Sequence, residues 1–203
     1  MDVTYLSDTA AVFGDGATHQ QAADNATIVN ALTEAISNAG GGEIFFPPGK
    51  LLVSNRLIPK SGVKWRALNW RAKIYAHDTW DWDLFGLVNH NRNDAVNGAP
   101  LEEFIIEGVE VAGHFANGVS PQHTPNGAAI TLEFANNCSV RRVRTVRSDD
   151  GGIQISGYKP GIETVGYQSQ VSPGVWNPYH GGAKNNVIED CDISGGALGV
   201  ELV

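Results

Sequence analysis

The chain has 203 residues, enough for one domain with a substantial core, and no shift in composition divides it. With 24 glycines, 18% charged residues and an apolar 42% gathered in short runs, it favours many short strands joined by tight turns. The formal net charge of -8 argues against a nucleic-acid or anionic-membrane partner, because phosphate binding needs a basic surface.

An acidic virion or extracellular protein fits this composition, and a cytosolic enzyme stays open. The N-terminus shows no basic-then-apolar signal segment, and no apolar run is long enough for membrane insertion.

In chain order, Phe13-Gly14-Asp15-Gly16-Ala17-Thr18 forms a tight turn. Asp24 or Asn25 is the expected cap of a helix that places Val29, Leu32, Ile36 and Ala39 on one face, and Gly40-Gly41-Gly42 ends it. Strands are expected at Glu43–Phe46, Lys50–Val53 and Leu57–Trp65. One helix cannot cover both faces of a parallel sheet, but it can plug the open end of a β-solenoid.

The ordered set from Phe13 through the helix, then Gly40-Gly41-Gly42-Glu43-Ile44-Phe45-Phe46-Pro47-Pro48-Gly49-Lys50, then Pro59-Lys60-Ser61-Gly62-Val63, resembles the N-terminal signature of the pectate-lyase-like superfamily. That superfamily includes bacteriophage tailspikes, alginate epimerases and polysaccharide lyases. The resemblance implies an all-β fold, a right-handed parallel β-helix (solenoid) with an N-terminal capping α-helix. Residues 1–65 would form its first turns and cap, and 66–203 its coils with loop insertions, within one continuous domain. Two departures stand out: an insertion from His19 to Ala23, and Arg66-Ala67-Leu68-Asn69-Trp70 where the family often has a Gly-rich turn.

From Trp65 to Phe85 the chain carries Trp65, Trp70, Tyr75, Trp80, Trp82 and Phe85, interleaved with His77, Asp78, Asp81 and Asp83. Aromatic faces beside carboxylates suit a sugar-binding surface. The commoner use of such residues is a cap between helix and first coil, or a subunit interface. Asn89 to Pro100 reads as a loop.

One pattern then appears three times, at Phe104–Val111, Cys138–Thr145 and Asn186–Ile193. Each copy is followed by a second short strand, at Ala129–Leu132, Gly152–Ile155 and Gly199–Leu202. Aligning the copies stacks Ile106, Val140 and Ile188 inward, and Val109, Val143 and Cys191 beside them. Outward, Glu107, Arg141 and Glu189 share one column; Glu110, Arg144 and Asp192 a second; Gly108, Arg142 and Asp190 a third. Alternating charges on exposed columns mark these acids as structural, Asp190 included. Cys138 and Cys191 occupy different slots and are expected to be free, buried thiols.

The remaining polar groups lie between copies, in the loops 113–126 and 157–183, and per-coil insertions of this kind tend to carry binding. Asp149 and Asp150 precede the second strand of copy two, and paired carboxylates can serve as general acid and base in glycoside hydrolysis. Their commoner use is to cap a β-turn. The run resembles the Asp-Asp motif of the polygalacturonase branch, with His180-Gly181-Gly182 faintly like its later His motif. The candidate site is therefore Asp149 and Asp150 assisted by His180, with Tyr158, Lys159, Trp176 and Tyr179 as substrate-binding residues. A lyase or epimerase would instead draw its base from Tyr158, Lys159, Tyr179 or His180.

No compact Asp-rich loop suggests calcium, so neither a metal nor a cofactor is expected. The implied partner is a polysaccharide, handled by a tailspike-like homotrimer on a virion or outside the cell. The alternative is a non-catalytic virion component or adhesin that uses the solenoid as a rod. The last strand, Gly199–Leu202, lies one residue from the end of the sequence without a polar cap, so a continuing chain or a docking partner is expected there.

Overall fold

A computed structural model of the chain describes residues 2–77, 86–90, 94, 99–112, 128–146, 151–156, 170–172, 175–176, 183–194 and 198–202. The backbone winds as a right-handed parallel β-helix with three long sheets. The first sheet stacks β1 (Val3–Tyr5), β2 (Gly42–Phe45), β4 (Val63–Arg66), β8 (Ile105–Glu107), β12 (Ser139–Arg141) and β17 (Val187–Glu189). The second stacks β3 (Gly49–Val53), β5 (Ala72–Ala76), β9 (Glu110–Ala112), β13 (Arg144–Val146) and β18 (Asp192–Ile193). The third stacks β6 (Val88–His90), β10 (Ile130–Glu133), β14 (Gly151–Ser156) and β19 (Leu198–Leu202). A short pair, β7 (Leu101–Glu102) with β11 (Ala135–Asn136), turns the third face into the first.

Every strand pair in the three long sheets is parallel and in register, and each register position forms a column. Ile44, Trp65, Ile106, Val140 and Ile188 stack on the first face. Leu51, Ile74, Val111, Thr145 and Ile193 stack on the second, and Val88, Ile130, Ile153 and Val200 on the third. Strand alternation sends these columns inward, where nearly all are buried; full burial of one Val, Ile or Leu contributes about 1.5–3 kcal/mol. The repeat alignment read from sequence is the register observed.

Corners between the first two faces are made in two residues by putting one in the left-handed region: Gly108 (φ 73), Arg142 (φ 48) and Asp190 (φ 52). Arg142 and Asp190 form no ion pair of a third charge ladder. Instead the Arg142 guanidinium reaches Glu107, and its amide donates to Glu189 O at 3.0 Å. Gly108 has a second constraint. A Cβ there would stand 2.2 Å from the carbonyl oxygen of Ala67 in the preceding coil.

The helix α1 (His19–Asn38) covers the first coil. Its cap is Thr18, whose Oγ1 accepts from Gln21 N at 3.3 Å while Gln21 Oε1 accepts from Thr18 N at 2.8 Å, a complete capping box. The expected cap at Asp24 or Asn25 is therefore corrected, and His19–Ala23 is the first turn of the helix rather than an insertion before it. Asn25 is buried, bracketing Val12 N and O and the Leu52 carbonyl at 2.7–2.9 Å. Ala22, Ala26, Val29 and Thr33 are buried, with Leu32 and Ile36 packed against the core; Ala39 lies beyond the helix and is exposed. Trp65 is fully buried edge-on to Phe104 at 5.1 Å, and its Nε1 donates to Thr33 Oγ1 at 3.1 Å. That tryptophan joins helix to first coil, which is the capping role.

Gly108→Ala should lower the thermal midpoint clearly, since the left-handed backbone alone costs about 1–2 kcal/mol before the clash with Ala67 is counted. Gly16→Ala, where a Cβ meets nothing within 4 Å, is the control expected to melt like the parent. Equal midpoints for the two variants would contradict the stacked-corner account.

Candidate functional site

Connections are not spread evenly around the helix. Within the stacked coils, the corner between the first and second faces takes two residues at 108–109, 142–143 and 190–191, and five at 67–71. The longest connections border the third sheet: residues 77–87 and 113–129 lead into it and 91–100 and 157–186 lead out of it, while 147–150 and 194–197 are four residues each and β10 passes to β11 through Phe134 alone. The third sheet is thus the one whose strands border the longest stretches of chain, and per-coil insertions tend to carry binding.

The outward face of that sheet is polar by strand alternation. Val88, Ile130, Leu132, Ile153 and Ile155 belong to the core, so Asn89, Thr131 and Gln154, which share a column with Glu201, face away from it. Glu133 and Ser156 form the next outward pair. Asn89 and Thr131 are fully buried, and Thr131 Oγ1 has no hydrogen-bond partner among the described residues. A buried hydroxyl left unpaired costs about 1–3 kcal/mol. These amides and hydroxyls were not singled out in the sequence. Their signal was the alternation Val-Asn-His, Ile-Thr-Leu-Glu and Ile-Gln-Ile-Ser in the third strand of each coil.

Of the residues expected to act, Asp149, Asp150, Tyr158, Lys159, Tyr179 and His180 lie outside the described residues. Asp150 is bonded directly to Gly151, the first residue of β14, and Tyr158 follows its last residue, Ser156, by two. Trp176 is described by its backbone alone, in a hairpin of β15 (Gln170–Ser172) and β16 (Val175–Trp176) where it pairs with Gln170. Most of the loops 113–126 and 157–183 likewise lie outside the described residues, as do Trp80, Trp82 and Phe85.

The five acids set aside as structural include the central pair of the ladders. Arg141 pairs in register with Glu107 and Glu189, and Arg144 with Glu110 and Asp192. Arg144 reaches Asp192 at 2.9 Å and Glu110 at 3.5 Å, and Arg141 reaches Glu189 at 3.1 Å. One expectation changes: Glu107 and Glu110 are 7% and 5% exposed, not surface groups. Lys64 at 3.1 Å and Arg142 cover Glu107, while Lys73 at 3.6 Å, Arg144 and the Tyr75 hydroxyl cover Glu110. Buried carboxylates with several cationic partners lock register more firmly than exposed pairs, because removing one partner strands a charge.

His90 ends β6 in the inward column of Leu132, Ile155 and Leu202, buried, with Nδ1 against Glu133 O at 2.9 Å. Burial holds its pKa below the ordinary 6.5; nearby Lys60 and Arg56 act the same way, while the bond to Glu133 and the charge of Asp94 oppose it. Burial also raises both thiols, Cys138 to about 12, and neither is in a disulfide. Among the described residues no group of three or more His, Cys, Asp or Glu could hold a metal ion.

Comparison with solved structures gives the same architecture in proteins of very different sequence. The A-module of mannuronan C-5 epimerase AlgE6 from Azotobacter vinelandii matches 75% of the chain with a TM-score of 0.60 at 19% identity. The surface protein and adhesin PfbA of Streptococcus pneumoniae matches 97% with a TM-score of 0.56 at 17% identity. The shared feature is the parallel β-helix fold. The A-module of the Azotobacter epimerase AlgE4 aligns over 98% of the chain with a TM-score of 0.51 at 14% identity. The chain spans 40%, 42% and 53% of those three chains, respectively. No family model matches the sequence, and no curated protein does. No described helix is long and apolar enough to cross a membrane.

Two titration outcomes follow. Because His90 is held neutral in the fold but charges near pH 6.5 in the unfolded chain, its contribution to stability is full above 6.5 and is lost as pH falls through the lowered folded value. The melting midpoint should drop between pH 7.5 and 5, and His90→Gln should flatten that part of the curve; an unchanged slope would contradict the assignment. With a thiol-reactive chromophore at pH 8, Cys138 should react only on unfolding and Cys191 slowly in the native protein.

Proposed function

We propose that this chain binds a bacterial surface polysaccharide along the outward face of the third sheet and cleaves it there. The observation that carries this is that the longest connections border one sheet, whose outward positions are the polar Asn89, Thr131, Gln154 and Glu201. Such groups match sugar hydroxyls, and the loops supply walls and specificity. In this proposal Asp149 and Asp150 act as general acid and base beside the start of β14, and His180 assists. Tyr158, Lys159, Trp176 and Tyr179 bind the glycan from the loop that follows it.

The work would be done outside the cell or on a virion, by a tailspike-like homotrimer. One supporting likeness is to an epimerase whose name specifies the polymer mannuronan. The other is to a surface adhesin, and it favours a second possibility: the same face holds a host or bacterial glycan without cutting it. A single scaffold carries both kinds of activity, so the loops decide.

Incubation with capsular and O-antigen polysaccharides, followed by reducing-end and unsaturated-uronate readouts, separates hydrolase, lyase and adhesin. Chain cleavage with new reducing ends, reduced at least about a hundredfold by Asp149→Ala or Asp150→Ala, is the expected result. Cleavage untouched by both substitutions would remove these carboxylates from the mechanism. Binding without cleavage would leave the adhesin.

A further inference from the structure

The five-residue corner at 67–71, on the far side of the helix from the third sheet, is longer than its equivalents in the next three coils. Residues 68–71 form a β-turn in which Arg71 N donates to Leu68 O at 3.0 Å, with both central residues, Asn69 (φ 47) and Trp70 (φ 61), left-handed. That geometry is the type I′ turn, whose second central position strongly favours glycine. A tryptophan held there is a backbone outlier, and outliers retained in a fold point toward use. Trp70 is fixed on three sides: its amide donates to Gly108 O at 2.7 Å, its indole Nε1 to Arg142 O at 2.5 Å, and the Arg144 guanidinium lies 4.1 Å from its ring centroid. Leu68 beside it is 53% exposed.

Around this turn the ladders are layered. The carboxylates Glu107 and Glu110 are buried beneath, while Arg66, Lys73, Arg142 and Arg144 keep a third to more than half of their side chains exposed. Arg71 is exposed and makes no ion pair among the described residues. An acidic chain thus turns a cationic, partly apolar strip outward at one place, bordered in the following coil by the exposed Glu189, Asp190 and Asp192, of which Asp192 pairs with Arg144. Arg66 and Arg142 lie two coils apart, roughly 10 Å along the axis, so the cations follow the helix rather than ring a point.

We propose that this strip, with Trp70 at its centre, is a second polysaccharide-binding surface that takes a carboxylate-bearing glycan chain. Arginine forks pair with carboxylates, the indole and Leu68 take the flat face of a sugar ring, and the axial spread suits a linear polymer. The net charge of -8 disfavours the denser polyphosphate of a nucleic acid. The surface is separate from the third-sheet face, and its existence does not depend on whether that face cleaves anything.

The test uses the whole chain in affinity electrophoresis and calorimetry with polygalacturonate, dextran and a short DNA duplex. Polygalacturonate should bind in a salt-sensitive way, dextran through this strip not at all, and DNA more weakly. Trp70→Gly gives the turn its preferred residue and removes the indole, and Arg71→Gln removes a cation with no partner to strand. Each should cut polygalacturonate affinity about five- to tenfold, and Arg71→Gln should leave the melting midpoint unchanged. Reducing-end release measured on the same samples reports the third-sheet site separately, which keeps failure here distinct from failure of that site. Binding unaltered in Arg71→Gln and in folded Trp70→Gly would show that the indole only braces the corner and would overturn the proposal. Tighter binding of DNA, or dissociation of an oligomer by Trp70→Gly, would overturn it as well.

Discussion

The constraint on which everything else rests is in-register stacking. Adjacent coils sit about 4.8 Å apart, so whatever a coil places in a slot meets the same slot of its neighbours above and below. Inward slots tolerate aliphatic side chains of similar bulk, and the columns through Ile106, Val111 and Ile130 obey this. Corner slots must repeat a left-handed residue, and one column runs Gly62, Glu103, Asn137 and Asn185 with φ between 54 and 72. Asparagine suits such slots because its amide can bond to the next coil. Asn185 Nδ2 donates to Asn137 Oδ1 at 3.2 Å, and the neighbouring Asn186 ties Cys138 N and Ala135 O across the gap.

Charge must satisfy the same rule. Lys50 and Lys73 are direct neighbours in one column, an arrangement that repels unless each has another partner. Lys50 finds Asp15 and the face of Tyr75, and Lys73 finds Glu110. Further along, acid and base alternate, and the central acids are drawn under their partners. Two faces of the helix are thereby committed to holding register. The two-residue corners repeat a left-handed residue, and the corner at 67–71 accommodates three more residues as a turn of its own without breaking the columns on either side.

This division explains what could be read from sequence. Copies at Phe104, Cys138 and Asn186 were visible because their two-residue corners keep constant spacing, and the register deduced from them is the one that forms. The helix start was misplaced for a physical reason. Asp24 and Asn25 look like caps locally, but Asn25 is needed inside to bracket Val12 and Leu52, partners 13 and 27 residues away that no local pattern reveals. Burial of Glu107 and Glu110 was invisible because it comes from long cationic side chains of other coils. The polar column Asn89, Thr131 and Gln154 was legible as alternation but was overshadowed by the more reactive residues of the loops. Those loop residues obey no repeat, so no column could test them.

The first and last coils of a stack face a different problem, because each has a neighbour on one side only. At the first coil α1 solves it with side chains rather than strands: Asn30 holds Arg56 O and Ile58 N, and Ser37 holds Ser61 O, so loop backbone that lacks a coil to bond with is satisfied by the helix. Trp65 then fills the wider space beneath, where an isoleucine suffices in the next coil. The cap and the ladders thus stabilise the fold without using the outward face of the third sheet. A scaffold arranged this way can alter what it binds without altering how it folds, which is how an epimerase module and an adhesin come to share it at under 20% identity to this chain.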